Sequence, residues 1–182
     1  MSDASSLSGV TVGRDEELRG LLAFYKRGTP ILVLGKSGLG KTHLLQAFMK
    51  RLEQQRIRPI YLDRLWPFKP ALLGLYGGLR KTDDKALNRL KRLTVPELAK
   101  ETLTLFERVA ARRRPSVVLD RLEDAPASAA DFLLRLSSLA LIVGAAQYVK
   151  RTRALRRFFW QFEILELHPL SRQDATTLAE RL

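Results

Sequence analysis

The segment GKSGLGKTHLLQAF, residues 35–48, has the form G-x-x-x-x-G-K-T and follows the apolar run ILVL directly. Those residue types at that spacing suit the holding of a polyphosphate. Phosphate oxygens need neutralisation and close backbone donors. Gly35, Gly38 and Gly40 remove side chains that would block the main chain, so successive N–H groups can turn inward. A helix beginning near Lys41 adds the positive end of its dipole. Lys41 then reaches the β- and γ-phosphates, and the Thr42 hydroxyl ligates Mg²⁺. The expected cradle is Gly35, Lys36, Ser37, Gly38, Leu39, Gly40, Lys41, Thr42 and His43. His43 belongs to the helix that seats the loop and is read as structural rather than catalytic.

Such a loop needs a carboxylate on the metal side, at the end of a neighbouring strand. The run SVVLD supplies Asp120. In many enzymes of this kind a glutamate follows at once to polarise the attacking water. Here Arg121 follows, and Glu123 stands three residues after Asp120. Glu123 is the candidate general base. The competing reading is that it caps the next helix or pairs with a surface arginine.

These groups need a scaffold that delivers them to one place. Five apolar runs, at 31–34, 58–63, 115–120, 139–145 and 162–167, read as strands. Helical spacing fills the intervals. Leu18, Leu21, Leu22 and Tyr25 share a face, with Asp15, Glu16 and Glu17 in the first turn and Gly28 at the end. Residues 41–55 form the helix after the loop, and 66–114 is mostly helical around an irregular GLYGGL. Thr94 and Pro96 open one helix there, whose predicted buried stripe is Leu98, Thr102, Leu105, Phe106 and Val109. Ser171 caps a last helix, with Asp174 at the capping-box position. Apolar strands alternating with helices predict a mainly parallel sheet covered on both faces, in one α/β domain.

Composition narrows the class. The 182 residues are 46% hydrophobic and 28% charged, which describes a globular chain rather than a disordered one. Lys and Arg number 32 against 19 Asp and Glu, a formal +13, which favours a polyanionic partner without choosing it. The basic stretches at 80–92 and 150–157 are candidate nucleic-acid contacts; the plainer reading is solvated helix faces. Cysteine is absent and His43 and His168 are the only histidines, which argues against disulfides and zinc. No apolar run is long enough to span a bilayer, and the polar start MSDASSLSG has no signal-peptide core, so a cytoplasmic protein is expected.

Taken together, the motifs resemble the AAA+ and STAND branches of the P-loop ATPases, over nearly the whole chain from Thr11 onward. TVGRDEEL is similar to the N-terminal box of origin-recognition initiators and STAND ATPases. GLGKTHLL is like the phosphate loop of bacterial replication initiators. VVLDRLEDA, with Glu three residues after Asp, is closer to the STAND form, and LHPLSRQDATTLAERL is similar to the entry into the lid of both groups.

The resemblance implies a three-layer P-loop fold with a five-stranded sheet, and ATP with Mg²⁺ as ligands. It implies adenine contacts at Val12, Gly13, Arg14, Pro169 and Leu170, metal ligation by Thr42 and Asp120, and a γ-phosphate sensor at Gln147. It also implies an arginine finger offered to a neighbouring copy, for which Arg156 and Arg157 are candidates, Arg157 being the one carried forward. Organisation is expected as a flexible tail at 1–9, an ATPase core at 10–168 and the start of a helical lid at 169–182, the lid truncated or absent. The readings that follow are an ATP-driven conformational switch, an initiator-like or helicase-loader-like ATPase on nucleic acid, and a STAND signalling switch with little turnover. A small-molecule kinase is a weaker alternative, because the lid entry and N-terminal box argue against it and no acceptor pocket is named.

Overall fold

The computed structural model describes residues 13–80, 83–149 and 153–180. The expected tail at 1–9, Val12, Lys81, and Lys150 and Arg151 of the second basic stretch lie outside them. Five strands form the frame: β1 (Ile31–Leu34), β2 (Ile60–Leu62), β3 (Ser116–Leu119), β4 (Leu141–Ala146) and β5 (Glu163–Glu166). Every pairing is parallel, and the order across the sheet is β2-β3-β4-β1-β5. Eight helices connect and follow them: α1 (Asp15–Lys26), α2 (Lys41–Gln54), α3 (Phe68–Leu79), α4 (Asp84–Arg92), α5 (Val95–Ala110), α6 (Ala130–Leu139), α7 (Arg153–Phe159) and α8 (Arg172–Ala179).

Alternation along the strands feeds two apolar layers. Ile31 and Val33 pack with Val118, Val143, and Leu44, Leu45 and Phe48 of α2 on one face. Leu32 packs with Val117, Leu119, Ile142 and the α3, α5, α6 and α7 side chains on the other. A strand buried on both faces must be apolar at every position, which is why periodicity in 31–34 is featureless. β5 differs. Glu163, Ile164 and Glu166 are exposed and only Leu165 is half-buried, against Gly20 of α1. The expectation of cover on both faces therefore fails at this edge strand, which pairs only with β1 and carries charged residues that blunt its free side.

The GLYGGL segment is not irregular but is the second half of α3. Its glycines serve close packing: a Cβ on Gly78 would stand 2.5 Å from Ile60 Cγ2, and one on Gly74 2.8 Å from Leu62 Cδ2. α5 opens with the predicted Thr94 cap, completed by Glu97 as a capping box. Its buried stripe is Leu98, Thr102, Leu103 and Phe106, with Leu105 and Val109 only half-buried. No helix among the described residues is long and apolar enough to cross a membrane.

The glycines of α3 give a paired prediction. Gly78→Ala should cost about 1–3 kcal/mol, because the methyl has no room against β2. Gly77→Ala, whose added Cβ meets nothing within 4 Å, should stabilise by about 0.5–1 kcal/mol. Urea unfolding of the two variants checks both signs.

Candidate active site

Parallel strands put all their carboxyl ends at one edge, and the order β3-β4-β1 sets Asp120, Gln147 and Gly35 side by side there. Gly35 is confined: its N–H donates to Ala146 O at 3.2 Å, and a Cβ would lie 3.1 Å from Leu167. Gly38 and Gly40 are glycines for another reason. Their φ angles are 82° and 84°, the left-handed region, while a Cβ on either would meet nothing within 4 Å. The loop thus turns with its inner side open. Gly40 caps α2 without any side-chain hydrogen bond, and the first turn of α2 carries no acid. Its amides and dipole are left for an external anion.

Lys41 folds over this loop. Its Nζ donates to Gly35 O at 2.7 Å and to Lys36 O at 2.9 Å. The ammonium is held above the loop by carbonyls alone, without a carboxylate to neutralise it. Thr42 Oγ1 donates to Asp120 Oδ2 at 2.6 Å. Asp120 is buried, and its other oxygen accepts the Arg121 N–H at 2.9 Å.

Tyr61, which sequence reasoning did not single out, donates to the same Oδ2 at 3.5 Å. Burial pushes its phenol up, and the Asp120 charge adds to the shift, so Tyr61 stays a neutral donor. Tyr61 lay in a predicted strand, but that this strand neighbours β3 is a matter of sheet order, which spacing does not reveal.

Thr42 and Asp120 offer two hard oxygen donors at one point, which fits Mg²⁺. No group of three or more His, Cys, Asp or Glu that could hold a metal occurs among the described residues. Phosphate oxygens and water would therefore supply the other ligands, as is usual for this ion.

Glu123 lies on a 3-10 turn, Leu122–Asp124, entered through Arg121 at φ 50°. It is buried, and its Oε2 accepts the backbone N–H of Gln147 at 3.1 Å. The competing reading is not seen: α6 has no side-chain cap, and Glu123 forms no ion pair among the described residues. The Gln147 side chain itself is exposed, so its main chain, not its amide, meets Glu123. Gly144 makes this closeness possible. A Cβ there would collide with Leu122 Cδ1, so β4 needs a glycine where the turn packs down.

Arg14 is 7% exposed. Its guanidinium donates to Glu17 Oε1 at 2.6 Å, to Leu39 O at 3.0 Å and to His168 O at 2.7 Å. It therefore braces the phosphate loop to the segment before α8. Gly13, at φ 68°, lies so close to Asp174 that a Cβ would approach it to 2.5 Å. Asp174 in turn accepts from the Ser171 hydroxyl at 2.6 Å, and its N–H donates to that oxygen at 3.1 Å, completing the predicted cap. Pro169 is exposed and Leu170 half-buried beside this junction. The segments expected around an adenine thus converge, although the Arg14 side chain is committed to protein acceptors.

A family model for the AAA ATPase domain matches residues 10–149. The chain belongs to that family. No curated protein matches it. Among solved structures, the Orc1 protein of Aeropyrum pernix in complex with DNA aligns with a TM-score of 0.71 at 21% identity, covering 94% of this chain and 50% of that one. AMPPCP-bound DnaA from Aquifex aeolicus aligns at 0.60 and 18% identity, covering 94% and 51%. Domain III of DnaA from Thermotoga maritima aligns at 0.61 and 17%, covering 94% and 69%. At these identities the likeness is one of fold, and the chain spans about half the length of the first two.

Within this AAA ATPase domain, two expected residues stand away from the loop's contacts. His43 is exposed on α2. Arg157 is exposed in the last turn of α7, while its neighbour Arg156 stacks over the Trp160 ring at 4.6 Å. Among the described residues, neither side chain has a hydrogen bond or ion pair to the phosphate loop.

The Arg14 brace predicts that Arg14→Ala leaves two carbonyls short of a donor and costs about 1–3 kcal/mol in urea unfolding. Arg14→Lys should recover little, because an ammonium lacks the planar fork that reaches both carbonyls.

Proposed function

We propose that this AAA ATPase domain binds ATP with Mg²⁺ and hydrolyses it, converting the nucleotide state into a conformational change. The observation that carries the reading is the Lys41–Thr42–Asp120 arrangement beneath an open glycine loop. The loop amides and the α2 dipole hold the phosphates, and Lys41 neutralises charge that spreads during transfer. Mg²⁺ bound by Thr42 and Asp120 would supply further neutralisation of the phosphate oxygens. Glu123, on the turn after β3, accepts a proton from the attacking water beside the end of β4, where the Gln147 N–H meets it. The convergence of Gly13, Pro169 and Leu170 supports an adenine site there. Arg157, exposed on α7, is the proposed finger for a neighbouring copy.

An initiator-like reading on nucleic acid is favoured by one further observation. Lys85, Arg89, Lys91 and Arg92 of α4 are all exposed, and a structural relative of this fold is described in complex with DNA. Their phosphate contacts would be salt-dependent and indifferent to sequence.

Nucleotide titration and steady-state turnover test the central claim. Lys41→Ala should abolish measurable ATP binding. Asp120→Ala should leave ATP affinity independent of added Mg²⁺. Glu123→Gln should bind ATP as the parent does and turn over about 10²–10⁴-fold more slowly. Full affinity in Lys41→Ala would falsify the site, and normal turnover in Glu123→Gln would remove it as the base.

A further inference from the structure

The edge of the sheet opposite the phosphate loop is built from cations. Parallel strands bring all five amino ends to that edge. Arg56 and Arg58 lead into β2, Arg112, Arg113 and Arg114 into β3, and Lys26 and Arg27 end the helix before β1. Trp160, 72% exposed, stands three residues before β5. All seven basic residues are exposed.

Structural duties account for only part of this set. Arg114 donates to Gly28 O, Ser137 O and Ala140 O, tying α1, β3 and α6 together. Arg27 covers the Phe24 ring at 4.5 Å. Arg56, Arg58, Arg112 and Arg113 form no ion pair among the described residues. One cation at a helix end complements the dipole there. That leaves unexplained Arg112 and Arg113 after α5, and Arg58, which follows no helix directly. Arg56 sits at φ 62°, a left-handed position after a helix where glycine is the usual residue. The acids near this edge form no ion pair with the set among the described residues: Asp83 caps α4, and Glu53 and Glu163 are unpaired there.

A cavity of about 210 Å³ opens among these groups, with Arg58, Arg113, Arg114, Tyr25 and Ser116 at its polar side and apolar residues, Ile57, Leu79 and Val109 among them, making up the rest of its lining. The Tyr25 and Ser116 hydroxyls share one hydrogen bond at 2.6 Å, which leaves one O–H hydrogen of the pair to donate to an anionic oxygen. Forked guanidinium donors with hydroxyls between them match a phosphate group. A protein partner would need an apolar centre to its interface. Of the large exposed apolar residues Trp66, Val95, Tyr148, Trp160 and Ile164, only Trp160 belongs to this edge. A single strand laid along this edge from β2 towards β5 would pass the arginines and then reach the Trp160 indole, one face of which Arg156 covers at 4.6 Å, leaving the other for a stacked base.

We propose that the amino edge of the sheet, through Arg58, Arg112 and Arg113 with Trp160, binds the phosphodiester backbone of single-stranded nucleic acid. This surface uses no residue of the nucleotide cradle and none of α4, so it stands or falls apart from the proposed function.

The test is fluorescence anisotropy of the full chain with labelled oligo(dT) of about 16 nucleotides, between about 50 and about 200 mM salt. The triple variant Arg58→Ser/Arg112→Ser/Arg113→Ser should bind at least about tenfold more weakly. Its plot of log affinity against log salt should be shallower by about 0.7 for each phosphate that is no longer neutralised. Trp160→Ala should weaken binding about five- to a hundredfold. A control variant, Lys69→Ser/Lys100→Ser/Arg135→Ser, removes the same charge from α3, α5 and α6 away from this edge and should change binding less than threefold. Thermal melts by circular dichroism select folded variants; if the triple variant does not fold, the single variant Arg113→Ser, which removes no side-chain hydrogen bond or ion pair among the described residues, takes its place with a slope shallower by about 0.7. The proposal is overturned if the parent chain does not bind at the lower salt, or if the arginine variants keep its affinity and slope. Equal weakening in that control, or displacement by polyglutamate at equal charge concentration, would also overturn it.

Discussion

The 2.6 Å hydrogen bond from Thr42 to Asp120 is the join on which the site depends. Its two residues are far apart in sequence and belong to elements that make no direct sheet pairing. It forms only because β4 and β1 stand where the strand order sets them, so that α2 starts above the end of β3. Misplacing any central strand would part the hydroxyl from the carboxylate. The apolar layers on both faces hold that order, and this is how Leu32 and Val118, far from any phosphate, serve the chemistry. The bond also settles two polar groups that would otherwise be costly at a buried strand end.

Much of this was legible in the sequence because it is local. The glycine spacing, the lysine and threonine after it, and an aspartate closing an apolar run are each set by a few adjacent residues. The five strands were visible for the same reason, and so were the Thr94 and Ser171 caps. What stayed hidden depends on contacts across the fold. Gly144 looked like one more small residue in a strand, and its meaning lies in Leu122 packing against it. Gly74 and Gly78 suggested a break in a helix, because propensity counts their cost and cannot see the close approach to β2. Tyr61 and the acceptors of Arg14 could not be read from spacing at all. The exposure of β5 follows from its place at the sheet edge, which an apolar alternation does not specify.

Charge is divided unevenly between the two ends of the sheet. At the carboxyl end, Lys41 faces carbonyls, while Asp120 and Glu123 are buried with hydrogen-bond donors. The amino end has arginines with few acidic neighbours. The net +13 is therefore not a uniform coat. Self-repulsion of this kind works against a compact state, and here it is carried where side chains reach freely into water.

Arg14 has a consequence for communication within the domain. Its two carbonyl acceptors belong to the tip of the phosphate loop and to the segment that leads into α8. A ligand that shifts the Leu39 carbonyl must carry the guanidinium with it or break a bond, and either event is felt at His168. By reciprocity, whatever restrains α8 alters the free energy of filling the loop by an equal amount. Loop and helix are thereby two ends of a single coupling of side-chain length, requiring no wider rearrangement of the sheet between them.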